Sequence, residues 1–236
     1  VSQTVGMIGY MLQQELTNLF PATPTQTLVT QVIVDEHDPA FSKPSKPIGQ
    51  VYTQAEAEKL AAEKGWTVMP DGQYYRRAVP SPKPQDVTGI NAVKALLAQD
   101  HIVICGGGGG VPCVKNAQGQ LTGVEAVVDK DLATAVIANQ LDADLFIIAT
   151  DVNAACVNFQ KEGERKIAKA NPAALEALSA EFAAGSMGPK VQAVINFVKA
   201  TGKDAAIGSL SDIEDIVAGK AGTRVSLSVD EVVFYE

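Results

Sequence analysis

The chain has 236 residues, which is enough to bury a hydrophobic core in one large or two small domains. Its formal net charge of −8 leaves no broad basic surface, and this excludes a general nucleic-acid or anionic-membrane binder. The apolar runs, such as residues 145–149, fall far short of the roughly 20 residues that span a bilayer. We therefore expect a soluble protein with no nucleic-acid or membrane partner.

The cysteines and histidines argue against a metal or thiol centre. Cys105, Cys113 and Cys156 are odd in number and lack CxxC spacing, which favours free thiols in a reducing cytoplasm. Neither His37 nor His101 lies at ligand spacing from a cysteine, so we predict no metal ligands. A catalytic Cys–His pair is disfavoured too, because His101 opens an apolar, strand-like run.

The first third of the chain contains a proline-rich insertion. Apolar residues at helical spacing predict a helix over 7–20, and β-branched residues predict a strand over 28–34. Several prolines then punctuate residues 38–84, around a predicted helix over 54–64 and a hairpin at Asp71. We interpret this stretch as an inserted lid subdomain.

Beyond residue 84 the pattern alternates between helices and strands, which is typical of an α/β fold with strands buried on both faces. The tail, residues 230–236, is compatible with either a last strand or an extension. The elements predicted here are helices over 89–98, 130–140, 172–182, 189–200 and 212–218, and strands over 101–105, 144–149, 204–208 and 223–227.

Five consecutive glycines, Gly106 to Gly110, follow one of these strands and are closed by Val111-Pro112. Glycine leaves its backbone amide unscreened, so this loop allows close approach of a small anion, although a tight turn without a ligand explains it as well. A P-loop is disfavoured because no Lys-Ser/Thr pair ends the run. A dinucleotide fingerprint is disfavoured because Pro112 and a polar turn interrupt the helix that it needs.

Two lysine motifs suggest phosphate chemistry. Asp129-Lys130-Asp131 begins an apolar helix, where Asp131 would hold lysines that neutralise a transferring phosphoryl group; an aspartate N-cap beside a solvated lysine is the alternative. In the second motif, residues 185–190, we place Pro189 at the first helical position and Lys190 in the first turn. A lysine there opposes the helix dipole, which favours a bound anion over a lysine that merely extends into solvent.

A further group of residues suits a nucleotide. Thr150 and Asp151 follow the strand over 144–149, at the edge where open α/β sheets bind ligands; an Asx turn or cap is the alternative. Asn158, between Val157 and Phe159, offers an amide beside an apolar wall that suits adenine, and a packed hairpin explains it equally well.

In this order, the motifs resemble those of the carbamate kinases in the amino-acid kinase superfamily. The resemblance runs from about Gly6 to Leu227 and implies a three-layer αβα open sheet of the amino-acid kinase type with an inserted lid subdomain. The motifs that carry it are residues 106–112, 129–131, 150–152 and 185–190, together with the stretches 39–41, 46–49, 75–77 and 80–82 of the lid. The segments it implies are an acceptor-side lobe (1–37 and 85–128, with the glycine loop), the lid (38–84), a nucleotide-binding lobe (129–228) and a tail (229–236).

The resemblance also implies an activity, namely phosphoryl transfer between ATP and carbamate to give carbamoyl phosphate and ADP. In the family this reaction serves ATP formation, in arginine metabolism. Mg²⁺ would accompany ATP through its phosphate oxygens, and the enzyme would be a cytoplasmic homodimer. The implied site comprises Lys130 and Lys190 on the transferring group, Asp131 orienting them, Lys46 reaching in from the lid, Thr150, Asp151, Asn158, Met187 and Gly188 near the nucleotide, and Gly107, Gly108 and Gly109 at the acceptor.

Two family motifs are not found in this chain, a Gly-Gly-Asn-Ala loop and a His-Gly-Asn-Gly-Pro-Gln stretch. Both help to form the phosphate and carbamate sites in the family. We therefore expect that Val1 corresponds to a point inside the family's amino-terminal half. Two alternatives stay open: a related kinase that phosphorylates another carboxylate, and a truncated, inactive relative that binds nucleotide.

Overall fold

The computed structural model describes residues 1–183 and 185–236, and the chain divides into two compact units, Val1–Ala133 and Thr134–Glu236. Within the described residues, no helix combines the length and apolar character needed to cross a membrane.

The first unit combines three helices with nine strands among its residues, and the fourth helix, α4 (Lys130–Leu141), begins at its end. Its helices are α1 (Ser2–Leu19), α2 (Gln54–Lys64) and α3 (Ile90–Leu97). Its strands are β1 (Thr25–Thr27), β2 (Gln31–Val34), β3 (Lys46–Tyr52), β4 (Thr67–Asp71), β5 (Tyr74–Val79), β6 (Pro84–Val87), β7 (Ile102–Ile104), β8 (Val111–Lys115) and β9 (Leu121–Gly123).

Residues 38–84, which the sequence predicts to be a lid and which we call the lid segment, carry an antiparallel sheet of order β3-β5-β4 together with α2. Helix α2 has the predicted bounds because Thr53 and Glu56 form a capping box at its start and Gly65 adopts the left-handed conformation at its end. Asp38 joins the two ends of the segment, since its carboxylate accepts the backbone N–H groups of Ala40 at 2.8 Å and Lys83 at 2.9 Å. These bonds, led by that from Lys83, lower the pKa of Asp38.

The remaining strands of this unit form a parallel pair, β1 with β7, and a sheet of order β6-β2-β8-β9. The strand predicted over 28–34 is present as β2 but begins only at Gln31, and residues 28–30 separate it from β1, which belongs to a different sheet. In the gap between them, Thr30 accepts the N–H of Gly106 through its hydroxyl at 3.1 Å and the N–H of Val111 through its carbonyl at 2.9 Å. The interruption therefore anchors the glycine loop.

In the second unit, α4 continues and is followed by the strands β10 (Leu145–Thr150), β11 (Cys156–Val157), β12 (Arg165–Ala170), β13 (Asp204–Ser209), β14 (Thr223–Val225) and β15 (Val232–Phe234) and the helices α5 (Pro172–Ala177), α6 (Met187–Thr201) and α7 (Ile213–Val217). The strands form a sheet of order β10-β13-β14-β12-β11, with β15 beside β12. Helix α6 packs its fully buried Phe197 against Phe146 of β10, with ring centroids 5.4 Å apart.

Three details of this unit refine the sequence expectations. The helix predicted over 172–182 ends at Ala177 and gives way to a 3-10 turn, Ser179–Glu181. Helix α6 begins at Met187, so Pro189 is its third residue and not its first. The tail forms β15, which decides in favour of a last strand.

Candidate functional site

The glycine loop is held close to the segment that leads into α4. Positive φ angles at Gly106 (70°), Gly108 (62°), Gly109 (87°) and Gly110 (81°) require glycine or strain the backbone. A Cβ placed on Gly109 would overlap the backbone carbonyl oxygen of Val128. The loop therefore has no room for a side chain at this contact.

Most amides of the loop are already engaged. Gly106 donates to Thr30, and the N–H groups of Gly109 and Gly110 donate to the carbonyl groups of Gly106 and Gly107 at 3.0 Å each. Gly107 and Gly108 are exposed, whereas the other three glycines are buried. A ligand that approaches the loop therefore meets these two residues.

Gly107 and Gly108 also border a cavity of about 700 Å³ in the first unit. Its walls come from α1, the glycine loop, residues 124–127 and Ile48 of the lid, and most of them are apolar. An apolar pocket beside exposed backbone amides suits a small ligand that carries an anionic group.

A cluster of alternating charges surrounds the first turn of α4. Asp129 accepts the N–H groups of Asp131 at 2.9 Å and Leu132 at 3.3 Å through Oδ1, so it caps the helix. Its Oδ2 accepts the Nζ of Lys46 at 2.8 Å. Lys130, whose side chain is 62% exposed, donates from Nζ to the buried Asp131 at 3.3 Å. The capping interpretation therefore holds for Asp129, while Asp131 contacts a lysine.

Burial raises the pKa of the Asp129 carboxyl, but other groups outweigh this effect. The hydrogen bond and positive charge of Lys46, with the backbone N–H groups of Leu132 and Asp131, hold the pKa below its usual value. Asp129 is thus a carboxylate that its surroundings keep ionised.

The second unit contains a cavity of about 590 Å³ at the carboxyl end of β10. Thr150, Asp151, Asn158, Met187 and Lys190 line it, so residues from three separate stretches of sequence meet there. The predicted nucleotide residue that does not line the cavity is Gly188, which lies next to Met187 and donates its N–H to Ala183 at 2.9 Å. The volume and the mixture of apolar and polar walls suit a nucleotide.

Glu181, which was not among the predicted site residues, joins two walls of this cavity. Glu181 accepts the backbone N–H of Asn158 at 3.3 Å, and Asn158 donates from its side-chain amide to the carbonyl of Gly163 at 3.3 Å. Asn158 itself has a positive φ of 53°. It lies just after the hairpin strand β11, so the hairpin interpretation of this stretch holds and the nucleotide interpretation stays a prediction.

The pairing of Lys46 with Asp129 was not predicted, because Lys46 was expected to contact only the phosphoryl group. The only local signal was the N-cap pattern, which says nothing about a lysine 83 positions away. Among the described residues, no three or more His, Cys, Asp or Glu side chains lie together as a metal site would require.

Comparison with known proteins agrees with this architecture. A model of the amino acid kinase family matches residues 38–209. A carbamate kinase of Haemophilus influenzae is 57% identical over 235 residues, covering 99% of this chain and 75% of the relative. A carbamate kinase of Rhizobium meliloti is 44% identical over 237 residues, covering 99% of this chain and 72% of the relative.

A solved structure of the carbamate kinase from Giardia lamblia bound to AMP-PNP superposes with a TM-score of 0.86 at 43% identity. The match covers 95% of this chain and 73% of that one. The prediction of an amino-acid kinase fold is thereby confirmed. On these grounds the chain belongs to the amino acid kinase family and, within it, to the carbamate kinases.

Proposed function

We propose that this protein interconverts ADP plus carbamoyl phosphate with ATP plus carbamate, and that it works mainly towards ATP. The observation that carries the proposal is one cavity of the second unit, in which Thr150, Asp151, Asn158, Met187 and Lys190 meet. The Giardia lamblia relative bound to AMP-PNP supports ATP as the nucleotide.

In the proposed forward step, an oxygen of the ADP β-phosphate attacks the phosphorus of carbamoyl phosphate. The P–O bond to the carbamate breaks, and carbamate leaves with the bonding electron pair. The transferring group carries its charge on oxygen atoms, so ammonium groups are the suitable partners. We assign this role to Lys130, Lys190 and Lys46, and Asp131 orients Lys130 through the ion pair at 3.3 Å.

The remaining assignments follow the same proposal. Thr150, Asp151, Asn158, Met187 and Gly188 bind the nucleotide, and the exposed backbone of the glycine loop faces the acceptor. Mg²⁺ supplies further neutralisation of phosphate charge when it is bound. The donor set fits an ion held chiefly by phosphate oxygens and water, since no cluster of three acidic, histidine or cysteine side chains occurs in the described part of the chain.

We also propose a homodimer, a cytoplasmic setting and the five-segment division, with residues 38–84 as the lid. Support for pairing comes from α1, which exposes Met7, Tyr10, Met11 and Leu19 by 59% or more. Support for a reducing compartment comes from Cys105, Cys113 and Cys156, which are free thiols. Light scattering on the purified protein measures the mass in solution, and a monomeric mass refutes the dimer.

The activity is tested by ATP formation from ADP and carbamoyl phosphate in the presence of Mg²⁺. We expect turnover by the wild type and a loss of at least about 100-fold in kcat for both Lys190→Ala and Asp131→Ala. The first variant removes a positive charge from the transferring group, and the second removes the carboxylate that orients Lys130. Lys199→Ala is the matched control, because this lysine lies on the same helix and pairs with Glu176 at the surface.

Different outcomes separate the alternatives. A well-folded protein that makes no ATP refutes the proposal, and a nucleotide-dependent rise in melting temperature without turnover identifies an inactive binding relative. Turnover with another acyl phosphate, and none with carbamoyl phosphate, identifies a different acceptor. A near-wild-type kcat in Lys190→Ala or in Asp131→Ala rejects the role assigned to the residue that is replaced.

A further inference from the structure

Asp129 joins the lid segment to the start of α4 through its side chain and its own carbonyl group. Oδ2 accepts the Nζ of Lys46, Oδ1 accepts two backbone N–H groups in the first turn of α4, and the carbonyl oxygen accepts the N–H of Ala133 at 3.0 Å. Lys46 is the first residue of β3 in the lid segment, 83 positions away in sequence. The carboxylate therefore ties the lid to the turn that begins with Lys130.

The position of this carboxylate is fixed from the preceding residues. The carbonyl of Val128 lies against Gly109, where no Cβ fits, and the N–H of Val127 donates to the carbonyl of Pro80 at 2.9 Å. Val128 is also almost fully buried. Backbone held on several sides leaves Asp129 little freedom to follow a moving lysine, so Asp129 sets the position of Lys46.

The carboxylate of this ion pair is far less exposed than that of Arg77 with Glu125, which also connects the lid segment to a residue outside it. The side chain of Asp129 is 11% exposed, whereas Glu125, which contacts Arg77 of β5 at 2.6 Å, is 73% exposed. Exposed pairs are screened by water and contribute little, but a shielded carboxylate attracts its partner more strongly. The pair between Lys46 and Asp129 is thus suited to hold one side chain in one place.

We propose that Asp129 is a positioning residue that holds the ammonium group of Lys46 beside the first turn of α4 for phosphoryl transfer. The inference rests on the function proposed above. Two lysines that approach one phosphoryl group repel each other, and a carboxylate next to them offsets this repulsion before the substrate arrives. An ammonium has three donors, and the bond to Asp129 uses one of them, which leaves donor capacity for phosphate oxygens.

The experiment compares Asp129→Asn, Lys46→Met and the double variant in ATP formation from carbamoyl phosphate and ADP. Asparagine keeps the oxygen that caps α4 but removes the charge that holds Lys46. We expect Asp129→Asn to lower kcat about 10- to 100-fold, as for a misplaced catalytic group, with KM for carbamoyl phosphate changed less than about threefold. In the Lys46→Met background the same change should alter kcat by less than about twofold, because its effect operates through the lysine.

Asp71→Asn is the matched control, since it removes a carboxylate that pairs with Arg76 inside the lid and does not touch Lys46. Asp129→Ser, which also caps a helix, replaces the asparagine variant if that one fails to fold. An unchanged kcat in the charge-neutral variants, or an equal loss with and without Lys46, overturns the positioning role. A wild type without turnover overturns the proposed function as well, so the two failures are distinguishable.

Discussion

The backbone carbonyl of Val128 lies so close to Gly109 that a Cβ on this glycine would overlap the carbonyl oxygen. Gly109 also has a φ of 87°, which L side chains rarely adopt. We therefore expect Gly109→Ala to lower the free energy of unfolding by about 2–5 kcal/mol, from the backbone conformation and from overpacking together. Chemical denaturation followed by circular dichroism measures this loss.

Gly108→Ala is the control for the glycine loop, because its φ is 62° but its Cβ would meet only a side-chain atom of Val1, at 3.5 Å. We expect this variant to lose only about 1–2 kcal/mol, which is the cost of the left-handed conformation. Equal losses in the two variants would show that the contact with Val128 is not what constrains the loop.

The ionised state of Asp129 predicts a pH dependence of stability. Although burial raises its pKa, Lys46 and the backbone N–H groups lower it, so the folded carboxyl stays ionised where the unfolded chain takes up a proton. The stability it contributes is fully present above the unfolded pKa of about 3.9 and is lost as the pH falls through the lower, folded pKa. Asp129→Asn should therefore show a shallower loss of unfolding free energy below about pH 5.

Urea denaturation at a series of pH values measures that slope. Lys46→Met provides a second comparison, because it removes the main group that opposes the effect of burial, and it should also make the acid loss shallower. A slope for Asp129→Asn that equals the wild-type slope would mean that other carboxylates dominate the acid sensitivity.

Structure that is specified by neighbouring residues could be predicted from this sequence, whereas contacts between residues far apart in the chain could not. Helix α2 was predicted to the residue, because the capping box of Thr53 and Glu56 and the glycine at position 65 specify both ends within the helix itself. The break at Thr30 was missed because its partner Gly106 is 76 positions away. Its β-branched neighbours favour a continuous strand, and only the glycine loop selects the interruption.

The same distinction holds for the candidate site. The motifs around Lys130 and Lys190 could be recognised because each lies within one helix start, where charge and helix dipole interact. Two other relationships depend on the fold, namely that of Lys46 with Asp129 and that of Asn158 with Glu181. No periodicity or spacing in the sequence encodes such contacts, so the structure was needed to find them.

Asn158 allows a test of whether its side chain binds nucleotide or only shapes the turn. Its φ of 53° suits asparagine and glycine better than alanine. Asn158→Gly should keep the turn and lose the amide, and we expect it to weaken ADP binding about tenfold, as for one lost hydrogen bond of about 1.4 kcal/mol. Isothermal titration calorimetry measures the affinity.

Asn158→Ala is the comparison, since it loses the same amide and also strains the turn. We expect it to lower the melting temperature as well as the affinity for ADP, whereas the glycine variant lowers mainly the affinity. Wild-type affinity in Asn158→Gly would restrict this residue to a structural role, through its bond to Gly163.

Cys156 provides a reporter of cavity occupancy, because it lines the cavity of the second unit and is 7% exposed. Burial raises the pKa of its thiol, and Glu164 adds to this effect more than Lys166 opposes it. The thiolate is the reactive form, so alkylation by iodoacetamide should be slow at neutral pH and should accelerate as the pH rises. ADP in the cavity should slow it further, and mass spectrometry of peptides follows the reaction at each cysteine.

Cys105, which lies in the first unit and has a thiol pKa that is also raised by burial, is the internal control. Equal protection of both thiols by ADP would point to a general tightening of the fold, and protection of neither would place the nucleotide elsewhere.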